Sequence, residues 1–63
     1  MIVNGKMMNI PQMHIEEFLK HLNLEKDKIV IEVNEKIIVK EEYKEHILNE
    51  EDKIEIVSFV GEG

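Results

Sequence analysis

Apolar positions in this chain fall at helical spacing over residues 15–22, alternate along the last strand, and elsewhere form short β-prone runs, and these patterns predict the elements. Met1-Ile2-Val3 is short and β-branched, and Asn4-Gly5 follows at once. Asn-Gly between extended segments is the strongest short-range hairpin signal, because a type I′ turn needs positive φ at both central residues. Lys6 to Ile10 is then the returning strand, ended by Pro11-Gln12 because proline supplies no ladder N–H. Ile15, Phe18, Leu19 and Leu22 fall at i, i+3, i+4 and i+7 and predict a helix over about residues 14–22. No Ser, Thr, Asp or Asn stands where a cap should begin it, whereas Asn23 accepts the left-handed conformation that closes many helices.

Ile29-Val30-Ile31-Glu32-Val33 is the most β-prone stretch, followed by a turn at Asn34-Glu35-Lys36 and a short strand at Ile37-Ile38-Val39. Lys40 to Ile47 reads as one or two helical turns, with Tyr43 and Ile47 sharing a face at i, i+4. After the charged turn Asn49-Glu50-Glu51-Asp52, Lys53 to Val60 is the final strand. One amphipathic helix packed on a mixed sheet is the natural way to bury the helical stripe. The last strand cannot extend a meander, and a single helix covers one sheet face only. The β-grasp arrangement of ubiquitin-like proteins meets both constraints, with the first strand central and the last beside it. The expectation is an α+β, β-grasp domain over residues 1–60, with four to five strands on one main helix, and a flexible tail over 61–63.

Alternation assigns faces on the last strand. Ile54 and Ile56 point to the core under the helix, while Glu55, Val57 and Phe59 point outward. By the same rule Met1 and Val3 point inward and Ile2 outward, beside Val57 and Phe59 if the first strand neighbours the last. Ile2, Val57, Phe59 and Val60 are therefore the candidate docking residues, since an apolar patch on an outer face marks protein interfaces. Met7, Met8 and Met13 read as gap-fillers of the core.

Charge and composition then remove functions. The formal charge of −6 and the absence of arginine argue against nucleic acid, which needs clustered cations. There is no cysteine, hence no disulfide, thiolate zinc site or thiol nucleophile. His14 and His21 are two helical turns apart, about 10.5 Å of rise, too far to share a metal. The carboxylates Glu41, Glu42 and Glu45, and then Glu50, Glu51 and Asp52, read as solvated faces, and no acid or histidine is placed to activate Ser58. No apolar run reaches the roughly 18–20 residues of a membrane span and no signal pattern opens the chain, so the cytoplasm is the default location. A chain of 63 residues has little room for an enclosed active site.

The Asn4-Gly5 hairpin, the Ile15/Phe18/Leu19/Leu22 helix and the Glu32-Val33-Asn34 strand end resemble the bacterial sulfur carriers of the ThiS family. Ile37 to Glu41 with Tyr43, Asp52 before the last strand, and the tail Ile56-Val57-Ser58-Phe59-Val60-Gly61 continue the resemblance over essentially the whole chain. It implies a ubiquitin-like β-grasp protein of thiamine biosynthesis, similar also to the molybdopterin carrier MoaD. It also implies that the carboxylate of Gly63 is adenylated with ATP and Mg by a ThiF-type enzyme. That acyl adenylate is converted to a thiocarboxylate, which offers sulfur to a ThiG-type thiazole synthase. The carrier is then a co-substrate rather than an enzyme, binds no cofactor of its own and is a monomer when free. The alternatives are a sulfur carrier for molybdopterin or sulfur amino-acid synthesis, and a β-grasp interaction module that is never acylated.

The tail suits this chemistry. An α-carboxyl group, with an ordinary pKa of about 3.3–3.7, is ionised at neutral pH and ready to attack phosphorus. Glycines at Gly61 and Gly63 fit a narrow channel because they lack Cβ. The family ends in Gly-Gly, whereas Glu62 precedes Gly63 here. Two like charges 4 Å apart cost about 1 kcal/mol in water and about 4 at an effective dielectric of 20, so Glu62 predicts reduced or partner-specific activation.

Overall fold

A computed structural model describes residues 1–59. Its strands are β1 (Ile2–Val3), β2 (Lys6–Met7), β3 (Met13–His14), β4 (Ile29–Val33), β5 (Lys36–Ile38), β6 (Ile47–Leu48) and β7 (Lys53–Ser58). One α-helix, α1, spans Ile15–His21, and single 3-10 turns occupy Lys26–Lys28 and Lys40–Glu42. Five strands form a mixed sheet in the order β2-β1-β7-β4-β5, and β3 pairs with β6 in a separate two-stranded ribbon. The β1–β7 pairing is parallel and the others are antiparallel. The expected β-grasp architecture is present, with one adjustment: β7, not the first strand, holds the middle of the sheet.

Two turns of the same kind set the sheet register. Asn4 and Gly5 have φ of 51° and 84°, the two positive values a type I′ hairpin requires. Asn34 and Glu35 repeat that geometry with φ of 52° and 73°, so the turn is two residues long and Lys36 already pairs with Val33 in the strand. The Asn34 side chain then ties this turn to β7, accepting a hydrogen bond from the Lys53 N–H at 3.1 Å and donating to Asp52 at 3.0 Å.

The helix buries Ile15, Phe18 and Leu19 against the sheet, with Leu22 packed at the edge. Its missing side-chain cap has a physical explanation. The Ile15 and Glu16 N–H groups donate to the carbonyls of His46 and Tyr43, at 3.0 and 3.1 Å, so the facing loop satisfies the helix start. At the other end Asn23 takes φ 61°, and its N–H and that of Leu24 bond back to Lys20 and Leu19 in a Schellman closure.

The core is aliphatic apart from two rings. Ile15, Phe18, Ile31, Leu48 and Ile54 are fully buried, each such side chain contributing about 1.5–3 kcal/mol of transfer free energy. Tyr43 is buried beside them, and burial raises its phenol above the ordinary value.

Four expectations need correction. The returning strand stops at Met7, and Met13-His14, with His14 expected to open the helix, instead pairs with Ile47-Leu48. Lys40 to Ile47 holds only a 3-10 turn before that ribbon, so Tyr43 is buried while Ile47 is exposed, and the two do not share a face. Met7 is 76% exposed rather than filling the core, although Met8 and Met13 do pack against it. The last strand ends at Ser58 rather than Val60, and Val60 and the predicted tail over 61–63 lie outside the described residues.

Candidate functional site: the outer sheet face and the strand leading to the chain end

β7 carries the chain toward its C-terminus through the middle of the sheet. On one side β4 flanks it along its length, from Val33 opposite Ile54 to Ile29 opposite Ser58. On the other side β1 reaches only Lys53 and Ile54. Asn4 extends that contact: its N–H donates to the Ile54 carbonyl at 2.8 Å and its side-chain oxygen accepts from the Ile56 N–H at 2.7 Å. Phe59 is the last described residue, and its N–H donates to the Lys28 carbonyl at 3.1 Å. This backbone bond holds the last described residue beside the start of β4.

The alternation expected on β7 holds. Ile54 is fully buried and Ile56 packs against the core, while Val57 is 56% and Phe59 57% exposed. Met1 and Val3 are buried and Ile2 is at the exposed limit, 36%. Ile2 does share the outer face with Val57, but not its neighbourhood. The β1–β7 register sets Ile2 beside Lys53, four residues before Val57, about 13 Å away along the strand. The apolar neighbour of Val57 is Val30, directly across on β4. Gly61, Glu62, Gly63 and Val60 lie outside the described residues.

Sequence reasoning missed the other half of this surface. Ile37 and Val39 are 65% and 51% exposed, and with Val30, Phe59, Tyr43 and Lys40 they line an open groove of about 390 Å³. The signal was present: in three consecutive apolar residues, Ile37-Ile38-Val39, alternation must turn some outward if Ile38 turns inward. At the groove rim Lys40 Nζ donates to Asp27 Oδ1 at 2.7 Å. That hydrogen bond, reinforced by the lysine charge, holds the Asp27 carboxyl below its ordinary range and Lys40 above its own.

The described residues contain no group of three or more acidic, histidine or cysteine side chains arranged to hold a metal ion. No helix among them is long and apolar enough to cross a membrane. What the arrangement offers is an exposed apolar face, two acidic side chains at its centre (Glu32 and Glu55), and a strand that leads out of it.

Comparison with known proteins places this architecture. In a crystal structure, the thiamine biosynthesis protein ThiS from Geobacter metallireducens superimposes with a TM-score of 0.85, over 98% of this chain and 96% of that one, at 23% identity. A solution structure of a thiamine biosynthesis protein from the same organism gives 0.81, over 98% and 85%, also at 23%. These two likenesses establish the fold. A thiazole synthase from Paramagnetospirillum magneticum is 34% identical over 64 aligned positions, all of this chain but 20% of that protein. The chain thus spans one fifth of that relative's length. The uncharacterized protein ycf40 of Porphyra purpurea is 27% identical over 62 positions, 97% of this chain and 87% of that protein. The ThiS family matches residues 1–63, from end to end, and the chain belongs to that family.

Proposed function

We propose that this chain is a sulfur carrier of thiamine biosynthesis whose reacting group is the C-terminal carboxylate of Gly63. The observation that carries the reading is the family match, which runs through residue 63. In the proposed sequence a Gly63 carboxylate oxygen attacks the α-phosphorus of ATP, bound with Mg in a ThiF-type adenylating enzyme, and pyrophosphate leaves. Hydrosulfide then adds to the acyl carbon, AMP departs, and the glycine thiocarboxylate remains. A ThiG-type thiazole synthase receives the sulfur; the 34% identity to one fifth of a protein named thiazole synthase supports that choice.

The fold's contribution is presentation. The β7–β4 pairing and the Phe59-to-Lys28 hydrogen bond hold the body up to residue 59. The four residues beyond it reach at most about 14 Å when extended, enough to enter a partner's pocket while the body stays outside. Val57, Phe59 and Val60, with Ile2 farther along the face, form the proposed docking surface.

The experiment is direct. The protein is incubated with ATP, Mg, the adenylating enzyme and sulfide, and intact mass is followed for replacement of one oxygen by sulfur. Deleting Gly63 should abolish the change and Glu62→Gly should accelerate it. Glu62 is the one feature that favours the non-acylated interaction module, and an unchanged mass for the natural chain would decide for that module.

A further inference from the structure

Asn4 is followed by glycine, and no other asparagine in the chain is: Asn9, Asn23, Asn34 and Asn49 precede Ile10, Leu24, Glu35 and Glu50. The hairpin needs that dipeptide for its two positive φ values, and the same dipeptide carries a chemical weakness. A backbone nitrogen can attack the carboxamide of the asparagine before it and close a five-membered ring. The side chain of the following residue obstructs that attack, and glycine has none. Asn4 and Gly5 are both exposed, and no atom lies within 4 Å of the position a Gly5 Cβ would take.

In the folded protein the carboxamide is held across the β1–β7 seam. Asn4 Oδ1 accepts the Ile56 N–H at 2.7 Å, and the Asn4 N–H donates to the Ile54 carbonyl at 2.8 Å. Side chain and backbone of one residue are thus both tied to β7, which β1 itself pairs at only two positions. We infer that Asn4 is a self-modification site, preserved while β7 is seated beside β1 and converted to aspartyl and isoaspartyl forms when that seam opens. The inference is independent of the sulfur-carrier reading. In the step the Gly5 nitrogen bonds to Asn4 Cγ, the Cγ–Nδ2 bond breaks, and ammonia leaves with the proton from the Gly5 nitrogen. Water then opens the cyclic imide at one of its two carbonyls. One water is consumed, one ammonia is released, and nothing is oxidised or reduced.

The two products differ in consequence. The aspartyl form keeps the length of the main chain and an oxygen for the Ile56 N–H. The isoaspartyl form routes the main chain through the side-chain carbon, adding one bond of about 1.5 Å inside a two-residue turn. The hairpin pairs Ile2–Met7 and Val3–Lys6 and the seam to Lys53 and Ile54 can then no longer be satisfied together. Each conversion of this kind records an opening of the seam as a lasting loosening of β7. Asn34 is the internal control: its turn has the same positive φ values and its Oδ1 also accepts a β7 N–H, from Lys53, but Glu35 follows it.

The test incubates the full chain at mildly alkaline pH, in buffer and in guanidinium chloride, and follows the exchange of amide for carboxyl by peptide mass mapping. Conversion should fall on Asn4 and run at least about tenfold faster in the unfolded chain than in the folded one, because its rate follows the open population. Ile54→Val trims the buried β7 residue that pairs with Val3 and keeps the core apolar, so in buffer it should speed conversion several-fold. The isoaspartyl product, separated by chromatography, should unfold at lower denaturant than Asn4→Asp, which has the natural main-chain length. Conversion as fast in the folded chain as in denaturant overturns the inference, as does equal conversion at Asn34. No acceleration in Ile54→Val, or an isoaspartyl form as stable as Asn4→Asp, overturns it as well.

Discussion

The two faces of the five-stranded sheet are made from alternate residues of the same strands, and they differ in everything but origin. On the helix side Val3, Ile29, Ile31, Val33, Ile38 and Ile54 are buried in one cluster with Ile15, Phe18 and Leu19. On the other side Ile37, Val57 and Phe59 are more than half exposed, with Glu32 and Glu55 opposed between the flanking apolar positions. The first face follows the rule for stability, apolar atoms removed from water with no buried polar or charged side chain among the described residues. The second breaks that rule twice, by exposing apolar side chains and by juxtaposing like charges. Local departures of that kind are where function is expected in a fold that is otherwise self-consistent. The residues that hold the fold and the exposed ones proposed for docking are therefore different residues of one strand, and mutation can address them separately.

The largest effect should come from the helix side. Phe18→Ala removes the largest fully buried side chain and should cost about 3–5 kcal/mol. Domains hold roughly 0.05–0.15 kcal/mol per residue, so chemical denaturation should find this variant largely unfolded in water. A urea midpoint close to that of the natural protein would mean that the core cluster is not what holds the two layers together.

An intermediate effect belongs to the seam between β1 and β7. Asn4→Ala loses both a residue tolerant of φ 51° and the acceptor for the Ile56 N–H, and should cost about 1–2 kcal/mol in urea unfolding. Asn4→Gly keeps the backbone conformation and loses only the acceptor, so it should recover part of the loss. Equal losses for the two would show that the side-chain bond, rather than the turn, dominates.

The smallest stability effect should come from the outer face. Phe59→Ala should move stability by about 0.5 kcal/mol or less, since the ring is exposed. If the outer face is the proposed docking surface, binding to the proposed adenylating enzyme or thiazole synthase should nevertheless weaken about tenfold. If instead it unfolds the domain while binding survives, the division between the faces is not the one drawn above.

Most of the helix-side architecture was legible because its signals are long or specific. The Asn4-Gly5 turn needs only two residues to declare itself, and the Ile15 to Leu22 stripe covers two full turns. Alternation through Ile54, Glu55, Ile56 and Val57 sorted the two faces of β7 correctly. The failures lie where periodicity has too few residues to act on. Met13-His14 and Ile47-Leu48 are two-residue strands that exist because each borrows the other's backbone partners. Tyr43 and Ile47 share a face only at α-helical pitch, and a 3-10 turn followed by a strand rotates them apart. The helix start was illegible for a related reason, because its cap is made by carbonyls of residues 43 and 46, about thirty positions downstream. On the outer face Val57 and Phe59 were found from their own strand. Ile37 carried its signal within its own segment; the Val30–Val57 and Glu32–Glu55 oppositions did not, because they come from cross-strand register, which no single segment encodes.

The central position of β7 also bears on synthesis. The strand translated last of all the described elements is the one that both β1 and β4 require as their neighbour. A ribosome still holding residues 53–58 in its tunnel leaves a chain whose sheet is missing its middle, with Val3 and Ile31 lacking their β7 partners Ile54 and Ile56. Closure must await emergence of this strand and joins segments some fifty residues apart in sequence, the slow, non-local kind of contact. A nascent chain stalled before this strand would expose an unpaired edge on each side of the gap. Such a fragment is a natural target for chaperones and proteases.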